Sequence, residues 1–85
     1  MNEKLKRIAV NENGFIFDPQ TGISYTTNST GMEILKKLRE TNNTDEIRDH
    51  LVKEFEVSKE EAERDIIDFL ELLKSKGFIE WKRLQ

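Results

Sequence analysis

The stretch Ile8-Ala9-Val10-Asn11-Glu12-Asn13-Gly14-Phe15-Ile16-Phe17-Asp18-Pro19-Gln20-Thr21-Gly22-Ile23-Ser24-Tyr25-Thr26 decides the fold. It holds three β-prone runs, residues 8–10, 15–17 and 23–26, separated by two turn signals. Asn13-Gly14 is the dipeptide that fills the two central positions of a type I′ hairpin turn, flanked here by Glu12 and Phe15. In the second turn Pro19 presets φ for a type I turn and the Asp18 carboxylate can accept from the backbone two residues on. Gly22 can take the left-handed position that closes a bulged loop. The reading is a three-stranded antiparallel meander. Alternation puts Ile23, Tyr25 and Thr27 on one face and Ser24 and Thr26 on the other, with Phe15 and Phe17 opposite in sense to Ile16.

Outward from that stretch the period changes from two to 3.6. A first helix begins at Asn28 or Ser29 and carries Met32, Ile34, Leu35 and Leu38 before Thr41-Asn42-Asn43 stops it. A second starts at Thr44, whose hydroxyl can cap, and spaces Ile47, Leu51, Val52 and Phe55 along one side. The third opens on the capping box Ser58-Lys59-Glu60-Glu61, with Val57 and Ala62 as a hydrophobic staple, and ends at Gly77 after Lys74 and Lys76. Its residues Ala62, Ile66, Phe69, Leu70 and Leu73 form a core face, while Ile67 and Leu72 flank it. Phe78, Ile79 and Trp81 make an apolar tail that packs back on the domain. The predicted class is α+β, with three antiparallel strands followed by three helices in a winged helix-turn-helix-like order, over a single domain of residues 1–85.

Composition narrows the function. A chain of 85 residues buries only roughly 60% or a little more of its unfolded surface, which leaves little core to line a deep active site. With no cysteine there is no disulfide or thiolate metal site, and the simplest compartment is reducing. No apolar run approaches the ~20 residues that cross a bilayer, and residues 1–5 lead straight into the first strand without a secretory signal, so a cytoplasmic protein is expected. Fourteen Lys and Arg against 17 Asp and Glu give a net charge of −3, the opposite of a phosphate-binding footprint. A nucleic-acid-binding winged helix would present the start of the third helix, and here Glu60, Glu61, Glu63 and Asp65 crowd that end.

Catalytic chemistry has little to stand on. His50 is the only histidine and falls on the polar side of the second helix, where a solvated surface role is expected. The glycines are scattered rather than grouped as a phosphate loop. Carboxylates on exposed helix faces, such as Glu60 paired with Arg64 at i, i+4, are ordinary solubilising charge. No catalytic residue, metal ligand or cofactor is assigned. The feature that remains is the last strand of the meander, one edge of which is unpaired and can accept an extended peptide.

The segments Phe17-Asp18-Pro19-Gln20-Thr21-Gly22, Tyr25 to Asn28, Gly31 with Ile34-Leu35, Glu46-Ile47, Asp65-Ile66, Phe69-Leu70, Leu73 and Gly77-Phe78-Ile79, in that order and spacing, resemble the PqqD family over about residues 8–80. The likeness is closest to PqqD-like peptide chaperones found beside HPr-kinase-related proteins. The sequence departs from the PqqD pattern between the first two helices, where many relatives carry an acidic residue and glycine and this chain has Thr41-Asn42-Asn43-Thr44. The resemblance implies a non-catalytic element that holds the leader of a ribosomally made precursor peptide for a modifying enzyme, such as a radical SAM protein or an HPr-kinase-related protein. It also implies that the leader adds as a strand between the third strand and the third helix. The matching positions are Ile23, Ser24, Tyr25, Thr26 and Thr27 on the strand, and Asp65, Ile66, Phe69, Leu70 and Leu73 on the helix. Tyr25 has the alternative of pairing across the sheet with Phe15 or Phe17, Phe69 and Leu73 that of serving the core, and Asp65 that of a solvated charge. Nucleic acid and membrane are not expected partners, and a monomer or weak homodimer is expected. A nucleic-acid-binding regulator and a protein docking module are the competing readings.

Overall fold

The computed structural model describes residues 3–80. A 3₁₀ helix (Glu3–Arg7) leads into β1 (Ala9–Val10), β2 (Phe15–Phe17) and β3 (Ser24–Thr26), followed by α1 (Ser29–Glu40), α2 (Thr44–Phe55) and α3 (Lys59–Ser75). The protein is α+β, a three-stranded antiparallel sheet in the order β1-β2-β3 and then three helices. The expectation that residues 1–5 run directly into the first strand fails. Leu5 and Ile8 are both buried, and a three-residue turn puts positions three apart on the same side.

Both hairpin turns form, the first by a different device from the one expected. A type I′ turn needs positive φ at Asn13 and Gly14, yet only Gly14 has it, at 90°. Asn11 overrides the Asn-Gly preference. Its side-chain carbonyl accepts from the amides of Asn13 (2.9 Å) and Phe15 (3.2 Å), and its backbone carbonyl accepts from Gly14 at 3.2 Å. The turn therefore starts one residue early, with Gly14 as the left-handed residue of a bulge. At the second turn Gln20 N–H donates to the Asp18 carboxylate at 2.9 Å, Gly22 N–H donates to the Asp18 carbonyl at 2.8 Å, and Gly22 has φ 78°, as the sequence predicts.

The sheet register pairs Phe15 with Thr26, Ile16 with Tyr25 and Phe17 with Ser24. Cross-strand partners share a face, so Tyr25 stands beside buried Ile16 on the core side. Phe15 and Phe17 stack with each other on the opposite side, ring centroids 6.4 Å apart. That excludes the alternative in which Tyr25 packs on either phenylalanine.

Helix ends follow side-chain chemistry. Asn28 caps α1, accepting from Gly31 N–H at 2.9 Å. The cap of α2 is Asn43, not Thr44, because the Asn43 amide oxygen reaches the N–H groups of Asp45 and Glu46. Ser58 caps α3 by accepting from Glu61 N–H at 3.1 Å, while its hydroxyl donates to the Glu61 carboxylate. At the other end Gly77 has φ 79°, and Phe78 N–H returns to the Leu73 carbonyl at 2.9 Å, a Schellman closure. Phe78 and Ile79 thereby enter the core; Trp81 lies outside the described residues. No Glu60–Arg64 ion pair forms, and α3 is instead tied to α2 by Arg48, which donates to Glu63 at 3.2 Å.

One core group was not legible as such. Asp18 is 1% exposed and accepts from both Arg7 Nε (3.3 Å) and Arg7 Nη2 (3.1 Å), locking the 3₁₀ helix onto the second turn. Arg39 adds a second tie, donating to the Ile8 carbonyl at 2.6 Å. The Arg7 hydrogen bond holds the Asp18 carboxyl below the ordinary carboxylate range, against the opposing effect of burial. A carboxylate whose folded value is depressed contributes stability that is present above the unfolded value, about 4, and lost as pH falls through the folded one. Urea midpoints are accordingly expected to hold steady from pH 7 to about 5 and to decline below about pH 4. In an Asp18→Asn variant the acid decline should be shallower; an identical decline would remove Asp18 as its source.

Candidate functional site

Antiparallel ladders alternate residues whose main-chain groups face the partner strand with residues whose groups face away. Asp18 N–H donates to the Ile23 carbonyl (2.9 Å) and Thr27 N–H to the Gly14 carbonyl (2.8 Å), so Ile23, Tyr25 and Thr27 point their backbone at β2. Ser24 and Thr26 therefore turn their N–H and C=O groups to the free edge of the sheet. No described residue bonds them there, and Ile79, in the tail after α3, is buried in the core instead.

Beside this edge lies a cleft of about 250 Å³ lined by β3, the start of α1 and α3, with Tyr25, Thr27, Gly31, Asp65, Phe69 and Leu72 among its walls. Gly31 makes the junction possible. A Cβ there would meet the Thr27 hydroxyl oxygen and come within 3.0 Å of Phe69 Cε1, so its absence lets strand, α1 and α3 close around the inner end.

The sequence-predicted residues divide by position. Tyr25, Thr27, Asp65 and Phe69 line the cleft. Ser24 and Thr26 supply the outward main-chain groups. Ile66, Leu70 and Leu73 are buried in the core and do not reach the cleft. Ile23 is 39% exposed and lies beyond its lining. Residues the sequence reading did not assign to the site are Asn28, Thr30, Gly31, Ile34, Asp68 and Leu72. Leu72 carried a signal, since it flanks the core sector of α3; Asp68 carried none beyond its charge.

The lining mixes the apolar side chains of Tyr25, Ile34, Phe69 and Leu72 with the carboxylates of Asp65 and Asp68. Lys76 sits over the Tyr25 ring with its ammonium 5.3 Å from the centroid, a cation–π contact. Asp65 and Asp68 have no ion-pair or hydrogen-bonding partner among the described residues. Away from the cleft, His50 is not a solvated surface histidine. Its ring is 23% exposed, and Nε2 lies 3.0 Å from Glu33 Oε1, bridging α2 to α1. The imidazole donates in this contact, because an ionised carboxylate only accepts, and the bond holds the Glu33 carboxyl below its ordinary range. Among the described residues no group of three or more His, Asp or Glu side chains could hold a metal ion, and no helix is long and apolar enough to cross a membrane.

Two solved structures share this fold. TbiB1, solved in complex with the TbiA(beta) leader peptide, is 28% identical, covers 91% of this chain and 91% of its own, and superposes with a TM-score of 0.78. A lasso peptide synthetase B1, complexed with the leader peptide, is 28% identical with a TM-score of 0.72, over 82% of this chain and 84% of that one. No curated protein matches the sequence. The family described as coenzyme PQQ synthesis protein D matches residues 13–79, from the first turn through the buried tail after α3. That span holds β2, β3, all three helices and every residue lining the cleft, and the chain accordingly belongs to the PqqD family.

Proposed function

We propose that this protein is a non-catalytic peptide-binding domain, spanning residues 1–85, which holds the leader of a ribosomally synthesised precursor peptide for a modifying enzyme. The observation that carries the reading is the outward pair of Ser24 and Thr26 beside an apolar-floored cleft. The leader adds to β3 as a fourth antiparallel strand, its main chain bonding Ser24 and Thr26 and alternate side chains entering between Tyr25, Thr27, Asp65, Phe69 and Leu72. Ile23 borders the far end of the added strand. Ile66, Leu70 and Leu73 act from behind, fixing the position of α3. The leader-bound state of TbiB1 and of the lasso peptide synthetase B1 supports this use of the fold. A radical SAM protein or an HPr-kinase-related protein is the class of enzyme that would receive the leader. The start of α3 exposes Glu60, Glu61 and Glu63, which disfavours phosphate and the nucleic-acid alternative.

The test titrates a precursor peptide encoded next to this chain's gene into the labelled protein. Backbone amide shifts should be largest at residues 23–27 and 64–73. Thr26→Pro removes one outward donor without touching the β2–β3 ladder. It should weaken binding about tenfold or more, since one lost bond plus the obstruction of the ring amounts to roughly 1.4 kcal/mol, while the melting temperature stays close to that of the parent. Shifts concentrated on the exposed faces of α1 and α2, or unchanged affinity in the proline variant, would refute strand addition.

A further inference from the structure

Asp65 and Asp68 line the cleft without an ion-pair partner among the described residues. Lys76 is outside that lining but stands over the ring of Tyr25, which belongs to it, and has no ion-pair partner among the described residues. Arg64 and Glu71, their neighbours on α3, do not line it. Direction follows from contacts. The middle of α3 lies at the Thr27 end, where Phe69 closes on Gly31, and its last turn lies at Tyr25. The helix thus runs opposite to β3, with its anionic pair toward Thr27 and its cation toward Ser24.

Resting on the strand-addition reading above, we infer that the bound segment carries a cationic side chain four positions N-terminal to an anionic one. Eight to eleven helical residues separate Asp68 and Asp65 from Lys76, about 12–16 Å at roughly 1.5 Å per residue. An extended guest covers that in about four to five residues at roughly 3.3 Å each, and only the even spacing of four turns both side chains to the same face. A strand antiparallel to β3 enters at the Thr27 end, so its earlier residues meet Asp65 and Asp68 and its later ones meet Lys76. Two such pairs at a half-solvated cleft are modest in strength, yet they fix both register and polarity, which the main-chain bonds alone leave free.

The test selects a displayed library of random twelve-residue peptides on the whole chain, and in parallel on an Asp65→Lys, Asp68→Lys, Lys76→Glu triple variant. Enriched peptides should place Lys or Arg four residues before Asp or Glu with the parent, and in the reverse order with the variant. A synthetic enriched peptide should bind about fivefold tighter than its charge-swapped isomer at low salt, the difference shrinking as salt screens it. Peptides that lose affinity for Thr26→Pro but show no charge order, or the opposite one, would overturn this inference and leave strand addition standing. No enrichment over an unrelated protein, or peptides indifferent to Thr26→Pro, would overturn both.

Discussion

Replacing Phe78 with alanine is expected to leave much of the protein unfolded at 37 °C. The ring is fully buried in the core cluster that runs from Leu5 to Ile79, and truncating a buried phenylalanine costs about 3–5 kcal/mol through lost transfer energy and the residual cavity. A chain of 85 residues has a total stability on the order of 4–13 kcal/mol, so this one change removes a large share of it. Phe15 provides the internal comparison. It is 40% exposed on the outer face of the sheet, and Phe15→Ala is expected to cost under about 1.5 kcal/mol. Urea unfolding followed by far-UV dichroism measures both. Equal midpoints for the two variants would contradict the burial pattern.

The second large effect is expected at Gly14. Its φ of 90° is unfavourable for any residue with a Cβ, and a Cβ at this position would collide with the Thr27 carbonyl oxygen. That oxygen belongs to the main chain and cannot swing aside. Gly14→Val should therefore combine about 1–2 kcal/mol of left-handed strain with about 1–3 kcal/mol of overpacking. Gly22 shares the positive φ but has open space where the Cβ would go, so Gly22→Val should show the strain alone. Because Thr27 is both what the new side chain strikes and a wall of the cleft, the valine variant should also shift the amide of Thr27. If Gly14→Val and Gly22→Val melted together, the close approach of the first turn to β3 would be disproved.

These two sites illustrate what could be read before the structure. Gly14 and Gly22 were recognisable as turn glycines because their neighbours carry turn chemistry. The turn type at Gly14 was not, since the Asn11 side chain captures the amides of Asn13 and Phe15 and thereby overrides the positive φ that Asn13 would take in a type I′ turn. The element order, the α3 cap and the Schellman end were legible because each rests on residues close in sequence. Thr44 lost the α2 cap to Asn43 for a similar reason: two adjacent side chains could serve, and geometry chose. The Arg7–Asp18 pair joins residues eleven apart, and His50–Glu33 seventeen apart, so no local pattern announces either. In the cleft, the core face of α3 was identified by periodicity, but periodicity does not say where that face stops being covered. Ile66, Leu70 and Leu73 lie inside the boundary and Asp68 and Leu72 outside it, a difference set by how α1 and β3 pack around Gly31.

The free edge is only three residues long, and just Ser24 and Thr26 offer their main chain outward. Two residues supply at most four hydrogen bonds at about 1 kcal/mol net each, which barely offsets the roughly 4 kcal/mol or more lost when two molecules become one. On the proposed strand addition, the rest of the grip would have to come from side chains in the cleft, and weak main-chain anchoring would favour fast release. Such a surface suits a courier that surrenders its cargo to the next molecule, rather than a vault that keeps it.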